Sequence, residues 1–292
     1  RNHFFEQEFY DVGQVEVARG PQGTLYGRNA TAGVVNLISA KPTDQFEAMA
    51  SVDIGNYHNR RLEGMVNLPI VDDRLDIRIA GEWTKRDGYS FNEQTNTPVD
   101  GRDLWSSRVT VGWKPVEQVQ AYLVWEHFSE DDDRIRSGKQ LCKTDPGPSV
   151  VDGPTGPQIP SASFAGAFLS QGCKQGSLYA PSAFGTPNAT ANPFIAGLEA
   201  FTGFIPLGAN PYAGLVQSSD LRIIDSLLSP SYKAKNDTVE LNVDYKVTSN
   251  LTFTSQTGYN VDFLYSTEDY NRFNTAPGLF VDSFVAGLVG QD

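Results

Sequence analysis

The feature that most constrains this chain is a strict alternation of apolar and polar side chains over segments of ten residues or more. In residues 46–54, Phe46, Ala48, Ala50, Val52 and Ile54 have one parity, and Glu47, Met49, Ser51 and Asp53 the other. In 74–84, Leu75, Ile77, Ile79, Gly81 and Trp83 oppose Arg74, Asp76, Arg78, Ala80, Glu82 and Thr84. In 238–247, Val239, Leu241, Val243, Tyr245 and Val247 oppose Thr238, Glu240, Asn242, Asp244 and Lys246. A period of two puts each set on one face of a β-strand. Seven such strands are predicted, at 46–56, 57–68, 74–86, 103–114, 118–130, 236–247 and 250–266. Strands of soluble domains most often have about 5–6 residues, whereas a strand crossing a bilayer needs about 9–11. There is no run of 18 apolar residues, so helical spans are excluded. A membrane barrel is not, because its strands turn only alternate residues to lipid.

The connections carry a second pattern. Pro69–Asp73, Pro115–Gln118 and Thr248–Asn250 read as short turns, while 87–102 and 131–235 are long. Gly55, Asn56 and Tyr57 form a tight hairpin on the side of the long loops. Short turns on one rim and longer loops on the other describe an outer-membrane barrel. Trp83, Trp105, Trp113, Trp125, Tyr245, Phe253, Tyr259 and Phe263 all take the apolar parity, as interfacial aromatic girdles do. A soluble β-sandwich is the alternative that this pattern leaves open.

Ahead of the strands, residues 11–38 read as a short strand through Val15 and Val17, a glycine-rich turn, and a second strand from Val34 to Ile38. Gly20, Gly23, Gly27 and Gly33 permit backbone conformations closed to other residues, and Pro21 fixes one corner. Neither phosphate-loop pattern is present, and no helical pattern follows Gly27. The run resembles the C-terminal half of the plug of the TonB-dependent outer-membrane receptors. The resemblance rests on Arg19, Gly20, Pro21, Gly23, Leu25, Tyr26, Gly27, Arg28, Gly33, Val34 and Asn36, with small departures at Gln14 and Ala18. Gly55-Asn56-Tyr57 and Lys85 to Tyr89 are similar to the start of that family's barrel.

The resemblance implies a mostly β fold: residues 1–42 as the C-terminal part of a plug domain, and 43–292 as the N-terminal part of a transmembrane antiparallel barrel. Such a barrel has about 22 strands, so this chain is expected to be an internal piece of a longer one, without the segment that touches TonB. It also implies a bacterial outer-membrane location, and active import of a scarce nutrient, a ferric siderophore first and a glycan next. Partners would be TonB, membrane lipid and the external ligand, with no cofactor. A plain porin is the rival within the membrane.

Other residues bear on function. The net charge of −12 argues against nucleic acid as a partner. No H-E-x-x-H, G-x-S-x-G or Cys–His pair suggests an enzyme, and His3, His58 and His127 are too scattered to suggest a metal site. Cys142 and Cys173 both lie in the 131–235 loop. Outside the cell they are expected to pair, restricting the unfolded chain by roughly 3–4 kcal/mol. Ser219–Ser229 suggests a short amphipathic helix carrying Leu221, Ile224 and Leu228. The run from Glu130 to Asp133 is read as a solvated acidic stretch, with Ca²⁺ binding as the alternative. Arg19 and Arg28 are candidates for ion pairs with Glu63, Asp76 or Glu82.

Overall fold

The computed structural model describes residues 9–136, 138–147, 150–151, 159–160, 170–188, 212 and 214–269. In chain order the strands begin with β1 (Val12–Arg19), β2 (Gly33–Ser39), β3 (Glu47–Gly55), β4 (Asn59–Val71) and β5 (Leu75–Arg86). They continue with β6 (Ser90–Asn92), β7 (Thr97–Val99), β8 (Arg102–Val116), β9 (Val119–Asp132), β10 (Lys143–Thr144) and β11 (Val150–Val151). The last are β12 (Ile159–Pro160), β13 (Cys173–Lys174), β14 (Ile223–Ile224), β15 (Ser231–Thr248) and β16 (Leu251–Thr267). A single α-turn, α1 (Gly23–Tyr26), lies between β1 and β2.

The chain forms two compact units. The first, comprising residues up to Gly88, Gly101–Arg134 and Ser231–Thr267, holds the β1–β2 hairpin and a seven-stranded sheet in the order β16-β15-β9-β8-β5-β4-β3. Every long strand pairs antiparallel with its predecessor in this order. The seven predicted strands are all present, and β15 and β16 reach 18 and 17 residues. The sheet is open among the described residues, with β3 and β16 at its edges, so the about 22 strands of a plugged transporter barrel are not seen here.

The alternation holds across the sheet because the strands are in continuous register. Ala48, Val66, Ile79, Val109, Trp125, Val239 and Tyr259 form one row through all seven strands. That row belongs to the exposed face: Ile79 is 45% and Tyr259 70% accessible. The opposite face is buried over β5 and β8, with Arg78 at 7%, Glu82 at 4% and Thr110 at 4%, and opens to solvent toward β16. Burial is therefore inverted with respect to a water-soluble sheet, in which the apolar face would be the covered one.

Some boundaries differ from those expected. β4 continues through Pro69 to Val71, and the irregularity between Pro69 and Val71 accommodates the missing N–H. β15 begins at Ser231 because Tyr232 and Ala234 turn inward onto Leu104 and Phe128, a small apolar cluster on the otherwise polar face. The second unit contains Tyr89–Asp100 and Ile135–Pro230 together with residues from Glu268 on. It contradicts the helix expected at Ser219–Ser229. Asp220 Oδ1 accepts from Arg222 N at 2.9 Å, making a turn. Ile223–Ile224 then runs parallel beside β6, where β-branched side chains fit better than in a helix.

The exposed apolar face gives the first prediction. Val111, mid-strand in the row with Ile77, Leu123 and Leu241, should tolerate no charge if that face meets lipid. Val111→Arg is expected to cost about 2–4 kcal/mol in urea titrations of the protein folded into vesicles. A change within about 0.5 kcal/mol, as expected for a solvated surface position, would contradict the assignment.

Candidate functional site

The buried polar face of the sheet is the setting of the site. A guanidinium removed from water needs a charged or multiply hydrogen-bonded partner, and the residues leading into β1 supply one. The Asp11 carboxylate accepts from Arg78 Nε at 2.9 Å and Nη2 at 2.6 Å, a bidentate arrangement favoured by the planar fork of arginine. Glu47 accepts from Arg78 Nη1 at 3.2 Å. Asp11 N donates to Glu63 Oε1 at 3.4 Å, and Ala40 N donates to Asp11 O at 3.0 Å, closing the base of the hairpin. Next to Asp11, the Tyr10 ring lies under Arg108 at 4.7 Å, and Arg108 Nη2 donates to Glu126 at 3.2 Å. Tyr10 is fully buried. Burial first, and then the charge of Glu126, hold its hydroxyl protonated far above the ordinary range.

The glycine-rich motif connects β1 to β2 above this base. Gly20 has a φ of 82°, and a Cβ on Gly33 would lie 2.7 Å from Ala18 O, so both positions require glycine. Backbone bonds Gly20 N→Ala32 O and Gln22 N→Ala30 O carry the turn past Pro21, and α1 spans Gly23–Tyr26. Asn36 Nδ2 donates to Glu16 Oε2 at 3.0 Å across the hairpin. Leu25 is 75% exposed, and Tyr26, Gly27, Arg19 and Arg28 are exposed as well.

Arg19 and Arg28 do not make the ion pairs expected of them with Glu63, Asp76 or Glu82; neither is paired among the described residues. Glu82 is held by Arg61 at 2.7 Å, and Asp76 Oδ1 is buried without a partner. The hairpin is anchored at its base by Tyr10 and Asp11, not at its turn. Sequence reasoning missed Tyr10, Asp11, Arg78 and Arg108 as a group. The available signal was an arginine at a central position of the polar parity, at Arg78 and again at Arg108.

Of the acidic run, Asp131 is exposed to solvent, Asp132 and Asp133 are half-buried and Glu130 is buried. Glu130 meets Arg134 at 3.3 Å, Asp131 meets Lys233 at 3.1 Å, and Asp132 accepts from Asp103 N and Arg134 N. Asp133 accepts from Gly101 N at 2.5 Å. Each carboxylate is directed to a protein donor, and no metal-binding cluster of His, Cys, Asp or Glu occurs among the described residues.

In the second unit, Cys142 and Cys173 are joined by a disulfide with a Cα–Cα distance of 5.0 Å, next to the β10–β13 pairing. Asp145 organises the surrounding loop. Its carboxylate accepts from Gln171 N at 3.0 Å, Gly147 N at 3.0 Å and Lys174 Nζ at 2.8 Å. These donors, Gln171 N first, hold its pKa down to about 2.

No family model matches the chain. It is 38% identical over 79 residues to the catecholate siderophore receptor Fiu of Escherichia coli, covering 27% of this chain and 10% of that protein. It is 29% identical over 123 residues to the probable TonB-dependent siderophore receptor PirA of Acinetobacter baumannii, covering 38% of this chain and 16% of that one. The chain is a homologue of the TonB-dependent receptors. The crystal structure of the ferric yersiniabactin uptake receptor FyuA from Yersinia pestis superposes with a TM-score of 0.57 at 16% identity, over 89% of this chain and 30% of that one. That likeness is one of fold: the open sheet corresponds to part of a TonB-dependent receptor barrel. The matches span only 10–16% of the length of these curated relatives. The homologous TonB-dependent receptors are bacterial outer-membrane proteins, and they are receptors and transporters, not enzymes.

Two expectations follow. Removing one member of the Asp11–Arg78 pair leaves the other buried, a loss of about 3–5 kcal/mol when no substitute exists. Arg78→Ala strands Asp11, whereas Asp11→Ala leaves Arg78 with Glu47. In thermal melts of the full-length protein Arg78→Ala should therefore be the more damaging, and a double-mutant cycle should show coupling of more than about 1 kcal/mol. Additive effects would mean the pair does not hold the hairpin.

Asp145 gives a pH dependence. Its pKa is depressed on folding, so its contribution is complete above its unfolded value near 4 and is lost as pH falls toward about 2. Amide protection in the disulfide-bonded loop, measured as exchange relative to the intrinsic rate at each pH, should fall across that window in the wild type. Asp145→Asn should exchange fast already at neutral pH and show a flatter profile.

Proposed function

We propose that this chain is part of a TonB-dependent importer that carries a ferric siderophore across the bacterial outer membrane. On this reading residues 1–42 are the C-terminal part of the plug and 43–292 the N-terminal part of a barrel of about 22 strands, with 131–235 outside the cell. The observation that carries it is the anchoring of Tyr10 and Asp11, at the foot of the glycine-rich hairpin, to Arg108 and Arg78 on the polar face of the sheet, while the apolar face stays uncovered. A porin has no use for such an element, and a soluble sandwich would bury the opposite face. A siderophore is favoured over a glycan because Fiu, PirA and FyuA are all described as siderophore or ferric-siderophore receptors. TonB, outer-membrane lipid and the external ligand are the partners this reading requires.

The test is uptake of ⁵⁵Fe bound to catecholate or hydroxamate siderophores by cells that carry or lack the full-length gene. Import of at least one class should depend on the gene and stop when the proton-motive force is collapsed. Gene-dependent entry that persists after collapse would describe a passive channel and overturn the proposal.

A further inference from the structure

Three connections leave the same rim of the sheet: β5 to β8, β9 to β15, and the chain that follows β16. The second unit contains parts of all three, and they are bonded to one another there. β14, from the second connection, runs parallel to β6, from the first. Phe91 N donates to Arg222 O at 2.8 Å, and Glu93 N donates to Ile224 O at 2.9 Å. A ladder this short is marginal by itself, and Asn92 extends it. Asn92 Nδ2 donates to Ser226 O at 2.7 Å, while its Oδ1 accepts from Ser226 N at 3.0 Å. A side-chain amide, donor and acceptor at once, thus takes the place of a further backbone rung. Asn92 and Ser226 are both fully buried, at 0% exposure, and lie 134 residues apart in the chain.

The third connection is joined at the same place. Ser226 Oγ donates to Asp269 Oδ2 at 3.0 Å. Arg136 N, at the start of the second connection, donates to Glu268 Oε1 at 3.0 Å. The first connection is therefore held to the second through Asn92, and the second to the third through Ser226 and Arg136. Ser226 N and O are sealed from solvent, so water cannot replace Asn92 as their partner without opening the structure.

We infer that these three connections form one body and not three independent loops, and that Asn92 is the positioning residue that holds it ready for an external ligand. The inference rests on the importer reading above, in which this rim faces outward. Separate connections of this length would each lose conformational freedom on closing around a ligand, and that loss subtracts from affinity. A body assembled beforehand has already met the cost. When only a fraction of the molecules is assembled, the apparent dissociation constant rises in inverse proportion to that fraction.

The experiment follows amide hydrogen exchange in the full-length protein in phosphatidylcholine vesicles. Cooperative units exchange together, so Asn92→Ala should speed exchange not only at Phe91, Glu93 and Ser226 but also at Arg136, whose own acceptor is Glu268. Ser226→Ala keeps the backbone bonds to Asn92 and should speed Arg136 while sparing Phe91 and Glu93. It serves as the milder variant if Asn92→Ala fails to fold. Uptake is measured in cells with ⁵⁵Fe complexed to a tris-catecholate and, separately, to a tris-hydroxamate. For the complex that the wild type imports, Asn92→Ala should raise the half-saturating concentration on the order of tenfold and leave the maximal rate unchanged. Acceleration confined to Phe91, Glu93 and Ser226, with Arg136 unaltered, would show separate loops and overturn the inference. So would an unshifted half-saturation, or a loss of maximal rate alone. Import of neither complex by the wild type, with exchange still correlated across the connections, would instead sink the importer reading and leave the single body standing.

Discussion

A guanidinium buried on the inner face of a β-sheet has to be met by an acceptor, and the way Arg78 is met organises this molecule. Its partners are Asp11, at the foot of the glycine-rich hairpin, and Glu47, on the first strand of the sheet. Without the hairpin, the polar face would be a surface of charges with one cover, water. With it, Arg78 and Arg108 are shielded, and Tyr10 and Asp11 become part of the sheet's interior. The same interaction explains why the hairpin lies where it does. Its strands are short and bury little, so apolar packing alone would not hold it.

Attachment through ions differs in kind from attachment through packed hydrocarbon. A buried pair is costly to break on one side only, yet its two members are both stable in water. A hairpin held in this way is firmly placed while dry and easily parted once water reaches both partners. Some atoms at the contact already want for partners: Tyr10 OH and Arg108 Nε and Nη1 are buried without a hydrogen bond. The base of the hairpin is thus a firm contact with a built-in preference for wetting.

The architecture was largely legible in the residues, for a local reason. Period-two alternation needs no knowledge of the partner strand, and segments such as 74–84 and 238–247 carry it with few breaks. The glycine-rich connection was legible too, because Gly20 and Gly33 answer steric demands of their own neighbourhood. What failed were the pairings. Asp11 and Arg78 are 67 residues apart, and nothing in either neighbourhood selects the other. Arg19 and Arg28, conspicuous in the motif, drew attention that belonged to Asp11. The helix expected near Ile224 failed for a similar reason, since its spacing of apolar residues was outweighed by a neighbour, β6, that offered a ladder of hydrogen bonds.

The inverted burial of the sheet has a consequence for how such a chain comes into being. A soluble domain can finish folding in water and then travel; here the finished sheet would present row upon row of Val, Ile, Leu and Trp to the solvent. Its native form and aqueous transit are incompatible, because exposed apolar surfaces of that extent aggregate. On the outer-membrane reading proposed above, folding and arrival in lipid are then a single event. For this molecule the membrane is less a destination than the missing half of its folding reaction.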